Sequence, residues 1–338
     1  MSVLGSVLLL CLQAVLCTGA KFWHISDLHL DFRYVAGGNT SDMCHAPRPN
    51  STEPGDGAGV AGDYACDAPL VLVESALLAM QRLEPKPDWI VWTGDSAPHW
   101  RDPAPPDQRY IAKTTKLVFQ RLDTLFPGVP IVPALGNHDA SPPDQFPVTA
   151  DEQSKQFYDD LWTSGAFGDH IDPEDHESME TFKKCGYYTK SLNRSSGPRL
   201  KFVVLNTNIY YHDDQSAGPD PCDQLAWLNA TLVATPATEK VYLVAHVPPG
   251  TYERDPGLNN WNSPTDTVAD ITRRFLQIVR DPVLARKVVV HLYGHLHTDT
   301  FRLLLDQARE QEVRGVAFMA GSVTPILWTN HTIEGVSR

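Results

Sequence analysis

The chain has 338 residues, of which 42% are hydrophobic, and carries a formal net charge of −13 at pH 7. This composition is typical of a folded globular protein and excludes a disordered or coiled-coil chain. The negative charge also disfavours a surface that follows the phosphates of a nucleic-acid polymer, because such a surface needs clustered Lys and Arg.

The first twenty residues are typical of a secretory signal peptide. They contain no charged side chain, include the apolar run 7–10, and end in the small residues Gly19 and Ala20. Their apolar segment is short for a membrane-spanning helix, and no second one follows. We therefore predict that residues 1–20 are a signal peptide and that residues 21–338 form the mature chain.

The cysteines and the glycosylation sequons agree with export. Removal of the signal peptide leaves four cysteines, which allow three pairings in an oxidising compartment. Cys44 and Cys66 are the preferred pair, because they close a glycine-rich loop that burial alone would not order; pairing of Cys185 with Cys222 stays open. Five Asn-x-Ser/Thr sequons are present, at Asn39, Asn50, Asn193, Asn229 and Asn330. We expect a secreted or lysosomal protein.

Short apolar runs alternate with helical patterns along the mature chain. The apolar and β-branched runs predict strands at 22–25, 89–92, 129–135, 200–205, 241–247, 288–293 and 313–319. Apolar positions at helical spacing predict helices at 70–83, 111–125, 151–162, 222–233 and 267–279. This alternation predicts an α/β protein.

Residues that bind metals follow five of the apolar runs. They are Asp27 and His29, Asp95, Asn137 to Asp139, His246, and His295 and His297. His99 and Asn206 are secondary candidates for the same site. Polar ligands that cap buried strands predict a site at the carboxyl ends of those strands. Oxygen and imidazole donors without cysteine suit Zn²⁺, Mn²⁺ or Fe. Because all the ligands must converge, we expect one domain over 21–338.

The ordered words Asp-x-His, Gly-Asp, Gly-Asn-His-Asp, His and Gly-His-x-His resemble those of the calcineurin-like metallophosphoesterase superfamily. The flanking words FWHISDLHLD, WTGDSAPH, ALGNHD and YGHLHTD resemble the acid sphingomyelinase family, most closely its type 3 phosphodiesterases, type 3b among them. The resemblance implies a four-layer αββα sandwich with a dinuclear metal site at the carboxyl ends of its strands. We expect the saposin-type domain that precedes the core in acid sphingomyelinase to be absent here.

The resemblance also implies roles for single residues. Asp95 is expected to bridge two Zn²⁺ ions, with Mn²⁺ or Fe as alternatives. The remaining expected ligands are Asp27, His29 and His297 for one ion, and Asn137, His246 and His295 for the other. Hydroxide held between the ions would attack phosphorus. His138 is expected to be the general acid, with Asp139 or His99 holding its ring, and His99 to line the same site.

Three functions are compatible with these features. The leading hypothesis is a secreted zinc-dependent phosphodiesterase, monomeric, that hydrolyses phosphodiester or phosphoanhydride bonds of small molecules such as nucleotides. The second is a phosphodiesterase of sphingomyelin or another phosphocholine lipid. The third is a non-catalytic module that binds a lipid or a receptor. Family members continue into a helical C-terminal region; we expect this region to be absent from a chain ending at Arg338, and a GPI anchor only in a longer form.

Overall fold

A computed structural model describes residues 20–45, 57–99, 106–172, 174–193, 197–215, 220–253, 255–261, 269–306 and 312–326. The predicted signal peptide lies outside these residues apart from Ala20, as do the sequons at Asn50 and Asn330. Within the described part, no helix has the length and apolar character that a membrane span requires.

The described strands form two main sheets and one short hairpin. The smaller sheet is parallel and consists, in spatial order, of β1 (Phe22–Ile25), β2 (Trp89–Trp92) and β3 (Ile131–Pro133). The larger sheet contains β4 (Tyr188–Leu192), β5 (Leu200–Val204), β6 (Lys240–Val244), β9 (Val288–Tyr293), β10 (Thr300–Leu305) and β11 (Val313–Met319). Its order is β10-β11-β9-β6-β5-β4, and only the two edge strands are antiparallel to their neighbours. The hairpin pairs β7 (Thr251–Tyr252) with β8 (Asp255–Asn259).

Helices cover the outer faces of both sheets. The helices of the described part are α1 (Leu70–Leu83), α2 (Gln108–Leu125), α3 (Glu152–Thr163), α4 (Phe167–His170), α5 (His176–Cys185), α6 (Gln224–Ala234) and α7 (Ala269–Val279). Helix α2 begins three residues before its predicted start because the Asp107 side chain caps it, accepting a hydrogen bond from the Tyr110 N–H. Helix α6 begins two residues later than predicted, because Cys222 and Asp223 have left-handed φ values of 60° and 59°.

Aromatic side chains join the layers. The Trp89 ring on β2 packs edge-on against Tyr242 of β6, with ring centroids 5.5 Å apart. Trp92, on the opposite face of β2, contacts Phe119 of α2 at 4.9 Å. On the far side of the larger sheet, Phe275 of α7 meets His291 of β9 at 6.3 Å. The layers therefore run helix, sheet, sheet, helix, and the predicted αββα sandwich is confirmed.

Two disulfides tie loops to this core. Cys44 is bonded to Cys66, as predicted. Cys185 is bonded to Cys222, a pairing that the sequence left open. The first bridge closes a loop beside β1, where Leu30 pairs with Ala68 in a parallel bridge. It therefore fixes residues 66–68 next to the segment that carries Asp27 and His29.

His291 makes the fold sensitive to acid. The ring is buried under α7, and neither ring nitrogen has a hydrogen-bond partner among the described residues. Burial lowers the pKa of His291 to about 4. The unfolded chain binds a proton near pH 6.5, so it takes up more protons than the folded chain between these values, and stability falls as the pH drops.

We expect His291→Leu to reduce the loss of unfolding free energy between pH 7 and pH 5 by about 2 kcal/mol. Urea denaturation at both pH values measures this loss. The matched control is His176→Gln at an exposed position at the start of α5, which should leave the wild-type loss unchanged. An undiminished loss in the His291 variant would contradict the assignment.

Candidate metal centre

The predicted ligands lie directly after the carboxyl ends of β1, β2, β3, β6 and β9. Five of them occupy the left-handed region of backbone conformation: Asp27 (φ 52°), His29 (φ 43°), Asp95 (φ 59°), His295 (φ 70°) and His297 (φ 56°). Residues other than glycine rarely adopt this conformation, and such strain concentrates at functional sites. The chain thus bends sharply where each of these side chains is needed.

Glycines let the loops after β2 and β3 approach one another. A Cβ atom at Gly136 would overlap the Asp95 carboxylate, and one at Gly94 would overlap the backbone of Gly136. Asp139 reinforces the contact, because its carboxylate accepts hydrogen bonds from the N–H groups of Asp95, Ser96 and Gly136. Asp139 therefore joins the two loops and does not hold the His138 ring, so that part of the expectation was wrong.

One group of predicted ligands surrounds a common point beside Asp95. His29 Nε2 lies 3.3 Å from Asp95 Oδ2 and 3.9 Å from Asp27 Oδ1. His297 Nε2 lies 3.4 Å from Asp27 Oδ1 and 3.2 Å from His29 Nε2. Ligand atoms bound to one zinc ion at about 2.0–2.2 Å are separated by distances of this order.

The second group lies on the other side of the same carboxylate. His246 Nε2 is 3.1 Å from Asp95 Oδ2 and 2.8 Å from Asn137 Oδ1. His295 Nδ1 is 2.9 Å from the same Asn137 oxygen. Asp144 accepts a hydrogen bond from Asn137 Nδ2 at 2.7 Å, which orients the amide with Oδ1 toward the two histidines. Asp95 Oδ2 is therefore common to both groups.

Backbone carbonyls fix the tautomers of three of these histidines. Nδ1 lies 2.8 Å from Ala97 O in His29, 2.6 Å from Thr93 O in His246, and 2.8 Å from Ile326 O in His297. A carbonyl oxygen only accepts, so each Nδ1 carries a proton, and the neutral ring that binds a metal ion presents its lone pair at Nε2. Metal-binding histidines are held in this way. In two neutral rings the Nε2 lone pairs of His29 and His297 would face one another at 3.2 Å, an arrangement that either a proton or a metal cation between them stabilises.

The electrostatics of the site also favour cations. Although burial opposes charge on the ring, the Asp95 carboxylate raises the pKa of His246 to about 9. Despite its own burial, Asp95 keeps a pKa well below the usual range because His246 and His29 lie beside it. A divalent ion would satisfy the same attraction. The donor set, its tautomers and its charge therefore fit two divalent cations.

The remaining predicted residues divide between the site and the scaffold. His99 stacks on His29 with ring centroids 3.9 Å apart, and His138 meets His99 edge-on at 4.5 Å. His138 Nδ1 has no hydrogen-bond partner among the described residues, and burial lowers the pKa of His138 to about 3. Asn206 donates to Cys185 O and accepts from the Asn208 N–H. Asn206 is thus a structural residue at the end of β5, and the prediction that it is a secondary candidate for the metal site was wrong.

A cavity of about 260 Å³ opens beside the ligands. Its outer wall consists of Asp144, Tyr211, His212, Asp213, Tyr252, Leu258 and Asn260. Asn260 and Tyr252 belong to the β7–β8 hairpin region, whose short strands carry no clear pattern.

Two sheets packed face to face, with imidazole and carboxylate donors at their strand ends, define the metallophosphoesterase class. A profile of the calcineurin-like phosphoesterase family matches residues 20–299. The chain belongs to this family, and within it to the acid sphingomyelinase-like phosphodiesterases.

Three curated relatives are similar in sequence to most of this chain. Sphingomyelinase phosphodiesterase C of Dictyostelium discoideum is 33% identical over 323 residues, covering 94% of this chain and 67% of the relative. Human acid sphingomyelinase-like phosphodiesterase 3b is 35% identical, with coverage of 90% and 62%. Human cyclic GMP-AMP phosphodiesterase SMPDL3A is 30% identical, with coverage of 90% and 63%. The chain thus spans about two thirds of the length of these relatives.

Proposed function

We propose that the protein is a secreted, metal-dependent phosphodiesterase that hydrolyses small phosphodiesters or phosphoanhydrides, with nucleotides as the first candidate substrates. The observation that carries this proposal is the set of imidazole lone pairs and carboxylate oxygens that converge on Asp95 Oδ2 from both sides. The names of the relatives, all phosphodiesterases, support the same reaction.

Two Zn²⁺ ions are the proposed cofactors, and we propose that residues 21–338 form the single domain that binds both. One ion would be held by Asp27, His29 and His297. The other would be held by Asn137, His246 and His295, and Asp95 would contact both ions. When bound, two such ions supply positive charge for the reacting phosphate and activate water as a nucleophile. Asn137 provides an oxygen donor without a further negative charge, and Asp144 keeps that oxygen turned inward.

His138 is the proposed general acid, and His99 its neighbour in the site. In the free protein, burial keeps the His138 ring neutral. A bound phosphodiester is an anion, which favours the protonated ring, so substrate binding would bring the proton to the place where the leaving oxygen needs it. His138 lines the pocket, so its ring lies where a bound substrate would contact it.

The pocket wall favours a nucleotide. Tyr211 and Tyr252 offer aromatic faces on which a base can stack. Asn260 is buried, lines the pocket, and has an Oδ1 atom without a partner in the described residues. The Asn260 amide thus forms part of the polar wall that a base in the pocket would face. Cyclic GMP-AMP, named for one relative, is therefore a substrate worth testing.

A phosphocholine lipid is the second candidate. The same tyrosines, with the acidic Asp144 and Asp213 beside them, suit a quaternary ammonium group.

Secretion is supported by the signal-peptide pattern, the two disulfides and exposed sequon residues at Asn193 and Asn229. Asn39 is half-buried, and its side chain caps a short 3₁₀ helix.

The deciding experiment loads the purified protein with zinc and compares ATP, cyclic GMP-AMP and detergent-dispersed sphingomyelin at pH 5 and pH 7. We expect hydrolysis of at least one nucleotide and its loss on chelation. Hydrolysis of sphingomyelin alone would favour the lipid candidate. Retention of zinc without turnover of any of the three would favour a non-catalytic module.

A further inference from the structure

A buried carboxylate outside the predicted ligand set touches His99. Asp67 is fully buried, and its Oδ1 lies 2.8 Å from His99 Nδ1. Its Oδ2 accepts a second hydrogen bond, from the His99 backbone N–H, at 2.6 Å. The Thr324 hydroxyl donates to Oδ1 at 3.0 Å. The Asp67 carboxylate thus forms hydrogen bonds with both the ring and the backbone of His99.

These contacts determine which nitrogen of His99 carries the proton. An ionised Asp67 carboxylate only accepts hydrogen bonds, as it does from the His99 backbone N–H and from the Thr324 hydroxyl, so His99 Nδ1 carries the proton that points to it. His99 Nε2, on the other edge of the ring, is then the nitrogen that can act in the pocket that His99 lines. The ring is also fixed in plane by stacking on His29 at 3.9 Å.

Asp67 itself is held firmly by the fold. It follows Cys66, which is bonded to Cys44, and precedes Ala68, whose backbone pairs with Leu30. Thr324 belongs to the segment whose backbone N–H bonds to Asp27 O. Asp67 therefore links the disulfide loop, the Asp27 segment and His99.

We infer that Asp67 is a positioning residue, which fixes the tautomer and orientation of His99 for the hydrolysis of phosphodiesters. This inference rests on the proposed function. Its contribution is exerted through His99, so it should vanish when His99 is changed. A carboxylate that only stabilised the fold would act whatever residue occupied position 99.

The test is a double-mutant cycle on the zinc-loaded protein with bis(p-nitrophenyl) phosphate. Asp67→Asn keeps the size of the side chain but presents a donor as well as an acceptor to His99. We expect kcat to fall about 10–100-fold with little change in KM, as for other residues that orient groups at metal sites. In a His99→Gln background, Asp67→Asn should change kcat less than about two-fold.

Asp31→Asn is the matched control, because Asp31 is another buried carboxylate beside the same loop but pairs with His45 at 2.7 Å. It should leave kcat near the wild-type value. Equal losses from Asp67→Asn in both backgrounds, or no loss at all, would overturn the inference. If Asp67→Asn does not fold or loses zinc, the same cycle is measured with Thr324→Val, which removes the hydrogen bond from Thr324 to Asp67. Removing that one hydrogen bond should lower kcat about five-fold only when His99 is present, and an equal effect in both backgrounds, or none, would overturn the inference.

Failure of the proposed function has a different signature. If the folded, zinc-loaded wild-type protein hydrolyses no phosphodiester, the proposed function is refuted. If both the wild-type protein and the Asp67→Asn variant are fully active, only the proposed role of Asp67 is refuted.

Discussion

Asp95→Asn is expected to lower kcat for a phosphodiester by at least about a thousand-fold, since charge stabilisation at a two-metal site is worth several kcal/mol. Asp95 Oδ2 is the atom that both ligand groups share, at 3.3 Å from His29 Nε2 and 3.1 Å from His246 Nε2. An amide has nearly the same shape but no negative charge, and only one of its two atoms can face the ions as an acceptor. The variant should therefore bind fewer than two ions per chain.

The measurement is steady-state hydrolysis of bis(p-nitrophenyl) phosphate, with metal content determined on the same samples. Glu152→Gln serves as the control, since Glu152 is a 90% exposed side chain at the start of α3. This variant should keep both its zinc and its activity. Near-normal turnover by Asp95→Asn with two ions bound would show that the carboxylate does not bridge them.

His138→Gln is expected to lower kcat by about 10²–10⁴-fold for a substrate with a poor leaving group, the range that general acids supply. The ring lies against His99 and His29, next to the ligands. Its backbone N–H, which donates to Asp95 Oδ1 at 2.8 Å, is retained in the variant. Metal content should therefore stay the same while proton donation is lost.

Leaving groups separate proton donation from other roles of His138. p-Nitrophenolate is stable without a proton, so its ester should lose much less activity than an ester with an alkyl alcohol leaving group. ATP, whose leaving group is a phosphate, provides an intermediate case. Equal losses for all three substrates, or loss of zinc, would assign His138 to binding or structure.

The strand-end ligands could be predicted because each follows a short apolar run whose partners are parallel strands. The runs at 22–25, 89–92, 288–293 and 313–319 coincide with β1, β2, β9 and β11. Asp-x-His and Gly-His-x-His combine ligand chemistry with an unusual local order, and the structure brings their side chains together. Local patterns were sufficient because each ligand depends on its own strand.

The rest of the site depends on contacts between distant segments. Asp67 lies in an otherwise unremarkable Cys-Asp-Ala sequence and meets His99 only through the loop that Cys44 and Cys66 close. The edge strands β4 and β10 were missed because their half-exposed faces mix polar and apolar residues without clear alternation. Asn260 reaches the pocket through a hairpin whose strands are too short to show a period.

The stoichiometry of bound metal tests the central claim most directly. The purified protein would be stripped with a chelator, titrated with Zn²⁺, and followed by calorimetry, with phosphodiester hydrolysis measured at each step. We predict two tightly bound ions per chain, with activity rising as the second site fills. Binding of a single ion or none, or full activity in the stripped protein, would contradict a dinuclear centre built on Asp95.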